Sequence, residues 1–248
     1  MNGARLRPLR ATVYNRGMHE SGVAERVASV RERVERARQR SGRSHPVTLV
    51  AVTKNHPADL VEAAISAGVH DIGENRVPDL AVKIEQVGRS VVNWHLIGHL
   101  QRNKVRRALP LVDLLHSLDS LRLAQAVSAE AQSQGCRVRA LVQVNASGEA
   151  SKGGFDAAAA LDAVARIAEL PGLRVSGLMT MAPFDAEEGT LRRVFGATRQ
   201  LWEEAGRQVS AFDAEVLSMG MSDDFEIAVE EGSTMVRVGT LLFGERQP

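Results

Sequence analysis

Val47-Thr48-Leu49-Val50-Ala51-Val52-Thr53-Lys54 is a short apolar, largely β-branched run that ends on a lysine. A strand that is apolar throughout, rather than at every second position, predicts a parallel sheet covered on both faces. Similar runs return at His70–Gly73, Asn93–Gly98, Val112–Ser117, Arg137–Asn145, Leu173–Thr180, Glu215–Ser218 and Thr234–Val238. Between them lie helical patterns such as Ala58–Ala67, Leu121–Gln134, Ala157–Leu170, Glu187–Gly206 and Asp223–Glu231. Pro57 reads as a first-turn residue, Asp119 and Asp156 as N-caps, and Gly68 and Gly135 as stops. Ahead of the first strand, Val23, Val27, Val30 and Val34 recur at helical spacing through an Arg/Glu-rich stretch from Ser21 to about Gly42, which predicts an amphipathic opening helix.

Eight strands alternating with seven helical segments fit an open doubly wound sheet or a closed (β/α)8 barrel. Without a dinucleotide-binding loop, the barrel is the better match. With no linker or low-complexity tract, residues 21–248 read as one α/β domain, a TIM barrel with an extra N-terminal helix.

Composition narrows the function classes. The 248 residues are 44% hydrophobic and 25% charged, as in ordinary globular proteins. A net charge of +1 gives no general basic field for nucleic acid or anionic membrane. No stretch approaches the ~18 apolar residues of a membrane span. The single cysteine, Cys136, cannot form an internal disulfide, which suits a reducing cytoplasm. Arg5, Arg7, Arg10 and Arg16 make residues 1–20 a basic segment, read as a disordered extension, with a transit peptide or a start at Met18 as alternatives.

In such a barrel the chemistry sits where strands end. Lys54 ends the first strand, where partial desolvation would favour the free amine and make it a candidate Schiff-base nucleophile; the plainer alternative is a solvated lysine. Ser218-Met219-Gly220-Met221-Ser222 follows the seventh strand, and Gly239-Thr240 ends the eighth. Small and hydroxyl-bearing residues at those two loops suit a phosphate, although Asp223 and Asp224 would repel one unless turned away. An amine at one end and a phosphate cradle at the other suggest pyridoxal 5′-phosphate (PLP). Arg237 could then reach the pyridine nitrogen; a guanidinium donates and cannot accept the pyridinium proton, which weakens the ring as an electron sink.

The ordered motifs Ala51-Val52-Thr53-Lys54, Gly73-Glu74-Asn75, Trp94-His95-Leu96-Ile97-Gly98, Leu100-Gln101-Arg102-Asn103-Lys104, Ser151-Lys152, Gly177-Leu178-Met179, Leu217–Glu226 and Gly232–Thr240 resemble the pyridoxal phosphate homeostasis (PLP-binding) family. That family has a single-domain barrel similar to the N-terminal domain of alanine racemase. The resemblance implies PLP held as a Schiff base on Lys54, with Ser218, Ser222, Gly239 and Thr240 around the phosphate. It places Arg237 at the pyridine nitrogen and Asn75 near the ring, and leaves open which of Ser218 and Ser222 touches phosphate. Lys152 matches a lysine considered a secondary cofactor contact, with a solvated loop residue as the alternative. His56 stands where many members carry a second lysine, which puts any hand-off through that lysine in doubt. Arg76-Val77-Pro78-Asp79 departs from the usual Tyr-Val-Gln-Glu, and residues 1–20 lack a counterpart.

The implied function is a cytoplasmic, monomeric carrier of PLP that delivers the cofactor to apo-enzymes, and not an enzyme. One rival is a PLP-dependent racemase or decarboxylase, which needs a second acid/base group facing Lys54. The chain runs 10 residues past Val238 and its one tyrosine is Tyr14, so the second domain of alanine racemase is expected to be absent. Another rival is a cofactor-free Schiff-base aldolase. His95 and His99 lie on a strand and its exit, where a spacing of four does not converge on a metal, so no metal site is expected. His116 reads as a packed histidine.

Overall fold

The structure, a computed structural model, describes residues 9–149 and 152–244. The eight expected strands are present: β1 (Thr48–Val52), β2 (Asp71–Glu74), β3 (Asn93–Leu96), β4 (Leu114–Leu118), β5 (Val138–Asn145), β7 (Leu173–Met179), β8 (Phe212–Ser218) and β9 (Met235–Val238). A two-residue strand, β6 (Phe155–Asp156), pairs beside β5. All pairings are parallel. β1 bonds to both β2 and β9, and β4 to β5, so the eight long strands close into a barrel.

The helices are α1 (Leu9–Ser41), α2 (Ala58–Ser66), α3 (Val77–Val87), α4 (Val105–Ala108), α5 (Leu121–Ser133), α6 (Ala157–Ala168), α7 (Glu188–Gln208), α8 (Phe225–Glu230) and α9 (Thr240–Phe243). α1 starts well before Ser21, so the segment expected to be a disordered extension is helical from Leu9 onward; residues 1–8 lie outside the described ones. Adding turns to an existing helix costs little compared with nucleating one, which lets a sequence without an apolar face continue it. Among the described residues no helix is long and apolar enough to cross a membrane.

Side chains alternate about the strands. On β1, Leu49 and Ala51 point outward to a layer that includes Val23, Val27 and Val30 of α1 and Val61 of α2. Val50 points inward, to Leu114, Leu141, Met179, Val216 and Met235. Each fully buried valine of α1 contributes roughly 1.5 kcal/mol of apolar burial, which pins this helix against α2 and α8.

Some helix ends differ from their sequence reading. Ser120, not Asp119, caps α5 by accepting from the Leu123 amide at 3.3 Å. Asp119 is taken instead by His99, whose Nδ1 lies 2.6 Å from its carboxylate. Pro57 occupies the N-cap of α2 rather than its first turn, whereas Pro78 does sit in the first turn of α3. Asp156 occupies the N-cap of α6 without a side-chain bond. Gly68 and Gly135 follow α2 and α5 in the left-handed region, as stops do.

A buried polar cluster ties the ends of β1 and β2 to α3. Thr53 Oγ1 donates to Glu74 Oε1 at 2.6 Å, Lys83 Nζ donates to the Thr53 carbonyl at 2.5 Å, and Lys83 also pairs with Glu74. These bonds hold the segments carrying Lys54 and Asn75 in fixed relation.

Candidate functional site at the barrel mouth

Lys54 extends the inward-facing series Val50, Val52 at the C-terminal end of β1. The turn after it places Asn55 at φ 63°, a left-handed position that asparagine tolerates, and closes with the His56 amide on the Thr53 carbonyl at 3.0 Å. The lysine is half-buried. It lines a cavity of about 300 Å³ together with Val52, His56, Met181, Ser222, Arg237, Gly239 and Thr240. That volume lies at the small end of ligand pockets.

Arg237 points inward from β9, in register with Val50 of β1. It is 4% exposed, and its two terminal nitrogens donate to Ser218 Oγ at 2.6 Å and to the Thr180 carbonyl at 2.9 Å. Burial pulls its guanidinium down to about 10, opposed by the charge of Asp224. It therefore stays cationic at neutral pH.

The two serines separate. Ser218 is fully buried, bonded to Arg237 and 3.1 Å from His116 Nδ1, and is not among the cavity-lining residues. Ser222 lines the cavity, and its Oγ accepts weakly from the Gly239 amide at 3.4 Å. Between them Gly220, at φ 95°, leaves no room for a side chain: a Cβ there would lie 2.6 Å from that of Ala228. Its carbonyl accepts from the Arg237 amide at 3.0 Å, joining the two loops. Gly239 caps α9, whose first amides, Thr240 included, have no acceptor within the helix.

Asp224 turns back to accept from the Met221 amide at 2.6 Å, and burial raises its carboxyl above the usual range. Asp223 stays exposed at the rim of the cavity. Asn75 follows β2, next to the turn of Lys54 but outside the cavity lining. Its carbonyl would lie 2.4 Å from a Cβ on Gly98, so only glycine fits there. Lys152 is not freely solvated: it donates to the Ala182 carbonyl at 2.6 Å and pairs with Glu149 at 2.5 Å.

Sequence reasoning passed over Phe184, which lines the same cavity while 88% exposed, and Met181, which lines it as well. His56 also lines it and stacks obliquely on Phe243, 5.3 Å between ring centroids.

His116 carries a pH consequence. Burial, then the nearby His95 and Arg237, hold its imidazole well below the usual value. The unfolded chain takes up that proton below a pH of about 6.5 while the native state does not. Stability is therefore whole above that pH and falls as the medium is acidified, by at most about 1.4 kcal/mol per pH unit. Urea midpoints at several pH values should show this slope, and His116→Gln should flatten it.

The chain matches the family described as alanine racemase, N-terminal domain, over residues 26–247. It is 38% identical over 226 residues to a protein of Aquifex aeolicus named pyridoxal phosphate homeostasis protein, covering 91% of this chain and 99% of that one. A protein of the same name from Bos taurus is 41% identical over 242 residues, covering 92% of this chain and 88% of the relative. The structure of PipY from Synechococcus elongatus, solved with PLP bound, superposes with a TM-score of 0.78 at 34% identity, covering 90% of this chain and 100% of that one. An apolar run ending in Lys54, a closed parallel barrel and these matches lead to one assignment: the chain belongs to the pyridoxal phosphate homeostasis proteins, within the alanine racemase N-terminal-domain family.

Proposed function

We propose that this chain binds PLP at the barrel mouth, holds it as a Schiff base on Lys54, and serves PLP homeostasis by passing the cofactor to apo-enzymes. The observation that carries the reading is the convergence of Lys54, Ser222, Arg237, Gly239 and Thr240 on one cavity of about 300 Å³. The names of the curated relatives and the PLP-bound PipY support it.

The donor set suits the cofactor. PLP supplies an aldehyde that condenses reversibly with an amine, and Lys54 offers that amine. Ser222 and the amides at the start of α9 offer hydrogen bonds to a phosphate. Ser218 plays a different part, behind Arg237 instead of beside the phosphate. Arg237 donates toward the ring nitrogen and, having no lone pair to offer, leaves that nitrogen without a proton. Asn75 contributes through the strand end beside Lys54. A ring so poised is a poor electron sink, which favours storage and release over turnover.

The test is borohydride reduction after incubation with PLP, followed by peptide mass mapping. The pyridoxyl mass should fall on Lys54. Finding it on another residue, or nowhere, would overturn the assignment, and rapid interconversion of L- and D-alanine by the same preparation would overturn the carrier role.

A further inference from the structure

Behind Arg237 runs a line of polar side chains that cofactor binding alone does not require. Ser218 Oγ, which accepts from Arg237 Nη1 at 2.6 Å, lies 3.1 Å from His116 Nδ1 on β4. His116 Nε2 lies 2.9 Å from His95 Nδ1 on β3, and His95 Nε2 lies 3.0 Å from Asp71 Oδ1 at the start of β2. Ser218 and His116 are wholly buried and His95 is 2% exposed, while the Asp71 side chain is 22% exposed. Asp71 lines a separate hollow with Arg31 and His70, where the strands begin, whereas Arg237 faces the cavity where they end. The line thus crosses the barrel interior from one end toward the other.

Its polarity follows from donor and acceptor chemistry. An ionised Asp71 only accepts, so His95 donates from Nε2, and in the neutral ring this leaves Nδ1 as the acceptor. His116 must then donate from Nε2, which leaves its Nδ1 to accept the hydroxyl proton of Ser218. Arg237 has donors only and takes one Ser218 lone pair, which leaves the hydroxyl proton available to His116 and is compatible with this direction. Asp71 is itself held below the usual carboxylate range: burial, the largest single influence, opposes ionisation, but the contacts with His95, the Asn93 amide and the nearby His70 together outweigh it. Neutral, buried His116 fits the same scheme.

We propose that Asp71, His95, His116 and Ser218 form a one-way hydrogen-bond chain that positions Arg237 as a donor toward the cofactor ring, with Asp71 as its remote counter-charge. This rests on the PLP reading for the identity of the ligand, but the chain itself does not. Hydrogen bonds that all point one way polarise one another, so the charge of Asp71 is felt at the guanidinium without a carboxylate beside it. A carboxylate in direct contact would draw the guanidinium away from the ring. The four residues act through Arg237 and are positioning residues.

The test is ¹⁵N NMR of the imidazole rings in the full chain without cofactor at pH 7.5, paired with PLP titrations. Both His95 and His116 should carry their proton on Nε2. Asp71→Ala should shift the ring signals of both histidines and weaken PLP binding about tenfold, the scale of one lost charge-assisted bond. Asp71→Asn retains an acceptor oxygen; it should restore the tautomers and recover part of the affinity, a pattern that general unfolding does not produce. A proton on Nδ1 of His116 in the unsubstituted protein, or ring signals of His116 unmoved by Asp71→Ala, would overturn the chain. Shifted signals with unchanged PLP affinity would overturn its positioning role. Tautomers as stated in a protein that binds no PLP would instead overturn the function proposed above and leave the chain standing.

Discussion

Lys54→Ala is expected to lose the borohydride-reducible adduct completely while PLP binding itself survives, weakened roughly a hundredfold. The loss should be complete because the bond needs an amine at the cavity wall, and Lys54 is the lysine lining that cavity. Lys83, which is buried, is held by Glu74 and the Thr53 carbonyl and is not positioned to replace it. Binding should survive because the groups facing the phosphate and ring come from other strands. Ser222 follows β8, and Arg237, Gly239 and Thr240 belong to β9 and the start of α9. Absorbance titration and equilibrium dialysis separate the two effects. A visible band that persists in Lys54→Ala would place the aldehyde elsewhere.

Gly177→Ala is expected to have the largest effect on stability of any single methyl added within the sheet. Gly177 sits on β7 at φ 149°, and a Cβ there would lie 1.7 Å from the Val216 carbonyl oxygen on β8. The obstacle is backbone rather than a movable side chain, and the register slips beside Gly177 against both β5 and β8. Relief requires separating two barrel strands. We expect a loss of about 4 kcal/mol, which lowers the midpoint of thermal unfolding by about 10 °C. A shift within a degree or two would mean that β7 and β8 do not approach as described.

Much of this architecture is readable in the chain before folding, for a physical reason. Strands buried on both faces need uninterrupted apolar runs, so Val47–Val52 and its successors declare the sheet, and the inward parity of Val50 and Val52 carries through to Lys54. Contacts between distant strands leave no such trace. Ser218 and Ser222 look equivalent along the chain, yet one is enclosed beside His116 and the other lines the cavity. Asp119 resembles a cap until His99 is brought to its carboxylate. His116 reads as a packed histidine, and His95 only as half of a pair with His99 that does not bind metal, because the bond between His95 and His116 exists only when β3 and β4 lie side by side. At the N-terminus the valines of the apolar period pack on the barrel, while α1 already runs from Leu9, ahead of that period.

The closure of the barrel has a consequence for when the site can exist. β1 and β9 are the first and last strands among the described residues, yet they are hydrogen-bonded neighbours, with Val50 opposite Arg237 and Ala51 opposite Val238. The lysine and the arginine therefore sit on either side of the seam where the cylinder is zipped shut. During synthesis the amine emerges some 180 residues before its counterpart on β9, and a nascent chain can have neither cradle nor ring contact until that final strand docks. Any ligand bridging the two edges grips the seam like a clasp, so occupancy should slow the parting of β1 from β9 more than any other local opening, and amide exchange at Val50 and Ala51 is where that clasp would be felt.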